Sequence, residues 1–310
     1  MPEVVSASTV WRPRFLVDAR RTLSVLQHGG ADPCHVGEAD GSVWRASRME
    51  SGPVSYRVTQ HGPQEIEVRA WGAGSAELIE GVPRLLGSAD RPEEFVPGHP
   101  VLAAAHRRLV GLRIPHTGRV MESLIPAVLE QKVVGIDATA SWRRLVNRYG
   151  ERAPGPAPER LRTPPSAATW RSVPSWEWHR AGVDPRRARA AQVCAREGDR
   201  LERLAAAHPG APAEVYRVLF ALPGVGVWTA AEVGHRALGD ADAIPFGDYH
   251  LAKDTGWALR GAPLAEHEVE EFFEPWRPHR WRAVRLLELT PGNRAPRRGP
   301  RMSRQDYRRI

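Results

Sequence analysis

Two short stretches carry residues that could do chemistry together. "LPGVGVWTAAEV" (Leu222 to Val233) sets Gly224 and Gly226 in a reversal before a helical pattern, and "GDADAIPFGDYH" (Gly239 to His250) brings an acid, Asp248, 22 residues beyond Gly226. Glycine permits torsions and close approaches that a Cβ obstructs. The helix that follows offers unpaired N–H groups and the positive end of its dipole, a phosphate site that reads no base sequence. One helix and one loop can fold back and bring the Asp248 carboxylate to whatever the hairpin holds. Each half also has a plain structural reading. Pro-Gly-x-Gly before a helix is common turn chemistry, and an Asp before Tyr249 can simply cap the next helix.

Composition restricts the partners. The chain has 310 residues, 42% of them hydrophobic, enough for a sizeable core and for two domains. A net charge of +8 and a pI near 10.2 favour a polyanion, although an arginine-rich composition gives the same charge without nucleic-acid binding. The two cysteines, Cys34 and Cys194, make neither a disulfide framework nor a zinc site, and cannot hold a four-cysteine cluster. The N-terminus lacks a signal-peptide pattern and no apolar run of about 18 residues occurs, so a soluble, cytoplasmic protein without membrane contact is expected. His116, His250 and His279 have no ligand spacing, and Asp240 and Asp242 read as loop caps, so no metal is expected.

The elements that would position the hairpin and its acid divide in two. "SVWRAS" (Ser42 to Ser47), "VSYRVTQ" (Val54 to Gln60) and "EIEVRAW" (Glu65 to Trp71) alternate apolar and polar residues around "ESGP" and "HGPQ" turns, which predicts an antiparallel meander with one buried face. After Pro100 the period lengthens. Helices are predicted over Val101 to Leu112, Val120 to Gln131, Gly135 to Tyr149, Pro185 to Ala207, Ala213 to Leu219, Val225 to Leu238, Tyr249 to Leu259, His267 to Phe273 and His279 to Leu289. The expected fold is therefore α+β: a β-rich N-terminal domain (1–98), an all-helical domain (99–292), and a basic tail (293–310) whose composition predicts mobility. A Pro-rich connection, Glu151 to Ser166, interrupts the helical region.

Those residues resemble the helix-hairpin-helix DNA glycosylase superfamily, whose marks are the hairpin, a Gly/Pro-rich loop and an Asp. The branch most similar is bacterial 3-methyladenine DNA glycosylase II. "VMESLIPAVLEQKVVGIDATASWRRLVNRYGE" (Val120 to Glu151), "AGVDPRRARA" (Ala181 to Ala190) and "EPWRPHRWRAVRLL" (Glu274 to Leu287) resemble further family segments, and the N-terminal strands resemble that branch's extra β domain. The likeness runs from about Val17 to Leu289 and is strongest after Val120.

The resemblance implies that Leu222, Gly224, Val225, Gly226 and Thr229 grip the DNA backbone, with Thr229 supporting the hairpin helix. It makes Asp248 the catalytic carboxylate, which stabilises the cationic sugar of base excision and orients water. Members that also cut the backbone have a lysine directly before the hairpin threonine. Trp228 stands there, which predicts a monofunctional enzyme. The base pocket would include Trp228, Glu232 and Arg285, the last two where relatives carry aromatics, with Arg285 balancing Glu232 and Glu232 favouring cationic or amino-bearing bases. Gln131 and Lys132 fall at the plug that fills the gap left by a flipped base. No cofactor is implied. The partner would be duplex DNA with damaged bases, met by a monomer near the nucleoid.

Alternatives stand beside several of these roles. Trp228 fits a core position, Glu232 a solvated helix face, and Lys132 a plain surface lysine. A noncatalytic hairpin protein for damaged or bent DNA would keep the glycines without needing Asp248, and a glycosylase for deaminated, oxidised or bulky lesions would keep the fold.

Overall fold

The computed structural model describes residues 6–248 and 250–296. The expected helix start at Tyr249 and most of the basic tail (297–310) lie outside them. Five strands, β1 (Ser6–Trp11), β2 (His35–Gly37), β3 (Val43–Met49), β4 (Gly52–Gly62) and β5 (Glu65–Trp71), form an antiparallel sheet in the order β1-β5-β4-β3-β2. Val58 faces Val68 and Tyr56 faces Ala70, so Val54, Tyr56, Val58, Ile66, Val68 and Ala70 all point to one buried face. Between β1 and β2 lies α1 (Ala19–Ser24), capped by the Asp18 carboxylate; α2 (Ser75–Leu85) covers the sheet with Leu78, Val82 and Leu85.

The sheet is buried on both faces toward β2 and β3, whereas β5 keeps the one buried face that the alternation predicts. The Pro-rich connection folds back onto the second face, where a two-residue ribbon, β6 (Glu151–Arg152) with β7 (Arg162–Thr163), brings Ala153 and Leu161 against Val36, Trp44 and Ala46. Ser55 Oγ donates to the Pro154 carbonyl at 2.6 Å and Trp44 stacks on Trp71. A polar type in β4 hides this second contact, because Ser55 is buried through its hydrogen bond to the connection.

The helices that follow are α3 (Pro100–Arg108), α4 (Val120–Glu130), α5 (Gly135–Tyr149), α6 (Ala167–Ser172), α7 (Ser175–Arg180), α8 (Pro185–Ala207), α9 (Ala213–Ala221) and α10 (Val227–Ala237). After a π-helical turn at Leu251–Thr255 come α11 (Gly256–Arg260), α12 (Val269–Phe273) and α13 (Arg280–Glu288). The long helix α8 starts at Asp184, whose carboxylate accepts the Arg186 and Arg187 amides, with Pro185 at the first helical position. α4 is the apolar hub, packed against α5, α8 and α10 with Leu124, Ile125 and Val128 fully buried.

Buried side chains form two large clusters whose boundary is not at residue 98. One joins the sheet, α2 and α3 to the C-terminal helices, so Val17 to Ile114 share a core with Ile244 to Leu287. The other holds α4 to α10, from Val120 to Leu238, with a run of indoles Trp142, Trp170 and Trp178 at its centre. The chain crosses the seam between the two clusters at the loop after α10, the loop that carries Asp248.

Candidate functional site

The hairpin glycines do different jobs. Gly224 has φ +90° and its missing Cβ would sit 3.0 Å from Ala190 Cβ of α8, so both torsion and packing require glycine. Gly226 is extended at φ −109° and nothing lies within 4 Å of a Cβ built on it, so neither torsion nor packing within the fold requires glycine there. α10 begins there without a side-chain cap, leaving its first N–H groups to the outside. Leu222 and Val225 anchor the turn in the second core.

Gln131, at the end of α4, ties this hairpin down. Its amide donates to the Gly224 carbonyl at 2.8 Å and to Thr229 Oγ1 at 2.9 Å. The buried Thr229 hydroxyl is thus committed inside the protein and only its backbone is free to grip a ligand, and the Gln131 amide is likewise spent. Lys132 is exposed, and its φ of +54° is a conformation non-glycine residues adopt at a cost.

Asp248 is both a cap and an aimed acid. Oδ1 accepts the backbone N–H groups of His250 at 2.7 Å and Leu251 at 3.0 Å, while Oδ2 accepts Trp228 Nε1 at 3.2 Å. Three donors from two elements fix the carboxylate on a cleft of about 610 Å³ at the seam of the two cores, lined by Trp228, Glu232, Asp248 and Arg285 together. Trp228 is half-buried, its indole nitrogen used to orient Asp248.

Glu232 is not a solvated helix residue: it is 7% exposed and faces this cleft. Its counter-charge is Arg236, one turn later on α10, and not Arg285. Arg285 is held instead by Glu288 at 2.7 Å and by Ser24 Oγ at 2.6 Å. An i, i+4 acid–base pair is the nearest partner a helix offers, and that signal was available in the sequence. Arg236 is itself locked, donating to the Val25 carbonyl at 2.9 Å across the seam and to His235 Nε2 at 2.7 Å. Burial keeps His235 neutral, well below the usual imidazole range, with Nδ1 toward the Ala243 carbonyl and its ring stacked on Trp281.

The cleft inverts the charge of the chain. Among its described lining residues five carboxylates, Glu130, Glu232, Asp248, Asp254 and Glu288, face three guanidiniums, Arg236, Arg285 and Arg294. Glu130 and Arg236 are the residues sequence reasoning missed. Burial works to raise the Glu130 carboxyl, but His28, 3.7 Å away, and Arg236 bring it below the usual range. Asp240 caps its loop, accepting from Tyr216 and the Asp242 amide, whereas the Asp242 carboxylate accepts from the Arg280 backbone and side chain at the start of α13. The described residues contain no cluster of three metal-ligating side chains, and no helix among them is long and apolar enough to cross a membrane.

A curated protein of Mycobacterium tuberculosis, described as "Probable bifunctional transcriptional activator/DNA repair enzyme AlkA", is 32% identical over 219 residues, 67% of this chain. The chain belongs to the helix-hairpin-helix DNA glycosylase superfamily. It spans about 41% of the length of that relative. The fold agrees with that of solved structures across nearly the whole chain. A 3-methyladenine DNA glycosylase from Archaeoglobus fulgidus superposes with a TM-score of 0.74 at 19% identity, covering 90% of this chain and 96% of the other. An 8-oxoguanine glycosylase/lyase from Clostridium acetobutylicum superposes with a TM-score of 0.68 at 14% identity, covering 92% and 97%. No family model matches the chain. Within the superfamily it is an AlkA-like member, with an N-terminal antiparallel sheet followed by helices.

Proposed function

We propose that this chain is a monofunctional DNA glycosylase that excises alkylated, positively charged purines from duplex DNA. The observation that carries the reading is the Trp228–Asp248 hydrogen bond, which couples the helix starting at an open backbone grip to a carboxylate on the rim of a cleft with room for an extruded base. Backbone amides at Gly226 hold phosphate, and Lys132 on its strained turn fills the gap left by the extruded base. Asp248 then stabilises positive charge on the sugar as the N-glycosidic bond breaks. Water adds to the sugar carbon and gives up a proton to the Asp248 carboxylate, and the base leaves with the bonding electrons, which neutralise its positive charge.

No lysine is among the described residues lining the cleft, and Trp228 fills the position from which a lysine amine would attack the sugar. The excess of carboxylates favours a base with a positive charge over a neutral one. The protein would act as a monomer, with a basic exterior that makes DNA affinity fall as salt rises.

A panel of duplexes with single alkylated, deaminated and oxidised bases, read by alkaline cleavage at abasic products, tests the substrate class. Release of alkylated purines is expected; release confined to oxidised bases contradicts it. Borohydride should trap no covalent complex, and efficient trapping contradicts the monofunctional mechanism.

A further inference from the structure

The Glu232 side chain offers its two oxygens to different partners. Oε2 is clamped by Arg236, which cannot follow a moving carboxylate because Val25 and His235 hold it in turn. Oε1 lies 4.0 Å from His235 Nε2, a nitrogen that accepts from Arg236 and has no proton to give. The Glu232 Oε1 therefore accepts no hydrogen bond from the protein and stands open to the cleft that Trp228 and Asp248 also line, where carboxylates outnumber guanidiniums.

We propose that Glu232 sets which base the cleft accepts, its Oε1 taking the exocyclic amino group of a cationic purine and so replacing the π-stacking by which an aromatic at this position would act. The inference rests on the glycosylase reading above. A purine N–H that replaces water on a carboxylate oxygen in a cleft makes a charge-assisted hydrogen bond, stronger than a neutral one, and a cation gains further from the surplus of carboxylates. A neutral base without an amino group supplies neither. A site that rejects ligands lacking a required N–H discriminates more steeply than an apolar wall does.

The same surroundings make the preference depend on pH. Facing Glu232 are Arg236 and His235 on its own helix, Glu130 of α4, Asp248 of the following loop, and Arg285 and Glu288 of α13 across the cleft. Burial first, then Glu130 and Asp248, raise the Glu232 carboxyl above the usual carboxylate range against the pull of Arg236. The empty cleft thus favours a proton on Glu232, and an entering cationic purine takes that proton's place. Selectivity is present when the carboxyl is ionised and is lost as pH falls and protonation competes.

The test compares release of 3-methyladenine from methylated duplex with release of hypoxanthine, neutral and without an amino group, by wild type and Glu232→Gln. The ratio of the two rates is expected to fall roughly tenfold or more in the variant, the worth of one charge-assisted hydrogen bond. Wild type, which needs no substitution and so no refolding, should show the same ratio falling from about pH 8 to about pH 5. A ratio unchanged by both the substitution and pH overturns the inference while leaving the glycosylase reading intact. Wild type that releases neither base overturns the reading itself.

Discussion

Trp228 Nε1 lies 3.2 Å from Asp248 Oδ2, a hydrogen bond between the first turn of the hairpin helix and the loop 20 residues further on. The indole of the hairpin helix is thereby one of the donors that orient the acid.

Trp228→Phe keeps an aromatic wall and removes this donor. The account expects base release to slow about tenfold, the equivalent of one hydrogen bond of about 1.4 kcal/mol, with duplex affinity nearly unchanged. Single-turnover release and a binding titration measure the two. A rate equal to that of wild type would show that the His250 and Leu251 amides suffice to place Asp248.

The two glycines separate folding from binding. Gly224→Ala forces a Cβ onto a left-handed residue against Ala190, and a loss of about 1–2 kcal/mol in stability is expected, visible as a lower Tm. Gly226→Ala meets nothing inside the protein, so Tm should hold while DNA affinity drops several-fold and loses some salt dependence. Equal Tm losses in the two variants would contradict this division.

Much of this was legible in the sequence, for local reasons. Strong periodicity placed α5, α8 and β5 at their observed bounds, and hairpin glycines with a downstream acid pointed to one site. What failed needed distant partners. β1 is an edge strand stabilised by pairing with β5, and α2 contains Gly81 and Pro83, which suppress a helix reading until Leu78, Val82 and Leu85 find the sheet. The cleft was out of reach because its walls come from Val25, α10 and α13, joined only where the two cores meet. Pairing Glu232 with Arg285 crossed that seam unnecessarily, when Arg236 stood four residues away.

Stability should fall as pH rises because of Glu202 in α8. Its Oε1 accepts the Met121 amide at 2.9 Å, but Oε2 and Arg119 Nε, 3.7 Å apart, are buried without hydrogen bonds. Burial pushes the carboxyl up to about 7 against the pull of Arg119. A carboxyl whose folded pKa is raised contributes stability that is full below the usual carboxyl range and lost as pH rises through about 7. The change is on the order of 3 kcal/mol at most. In Glu202→Gln, which keeps the acceptor for Met121, the decline of Tm across that range should flatten; an unchanged slope would contradict the assignment.

The most direct test of the central claim is single-turnover base release by Asp248→Asn on an alkylated duplex. Asparagine keeps the oxygen that accepts the His250 and Leu251 amides, so the loop and the affinity for DNA should persist. The account predicts release slowed on the order of a hundred- to a thousandfold, the scale of losing charge stabilisation in a transition state. Release at the wild-type rate, with binding intact, would remove Asp248 from the mechanism and leave a DNA-binding protein whose acid only caps a turn.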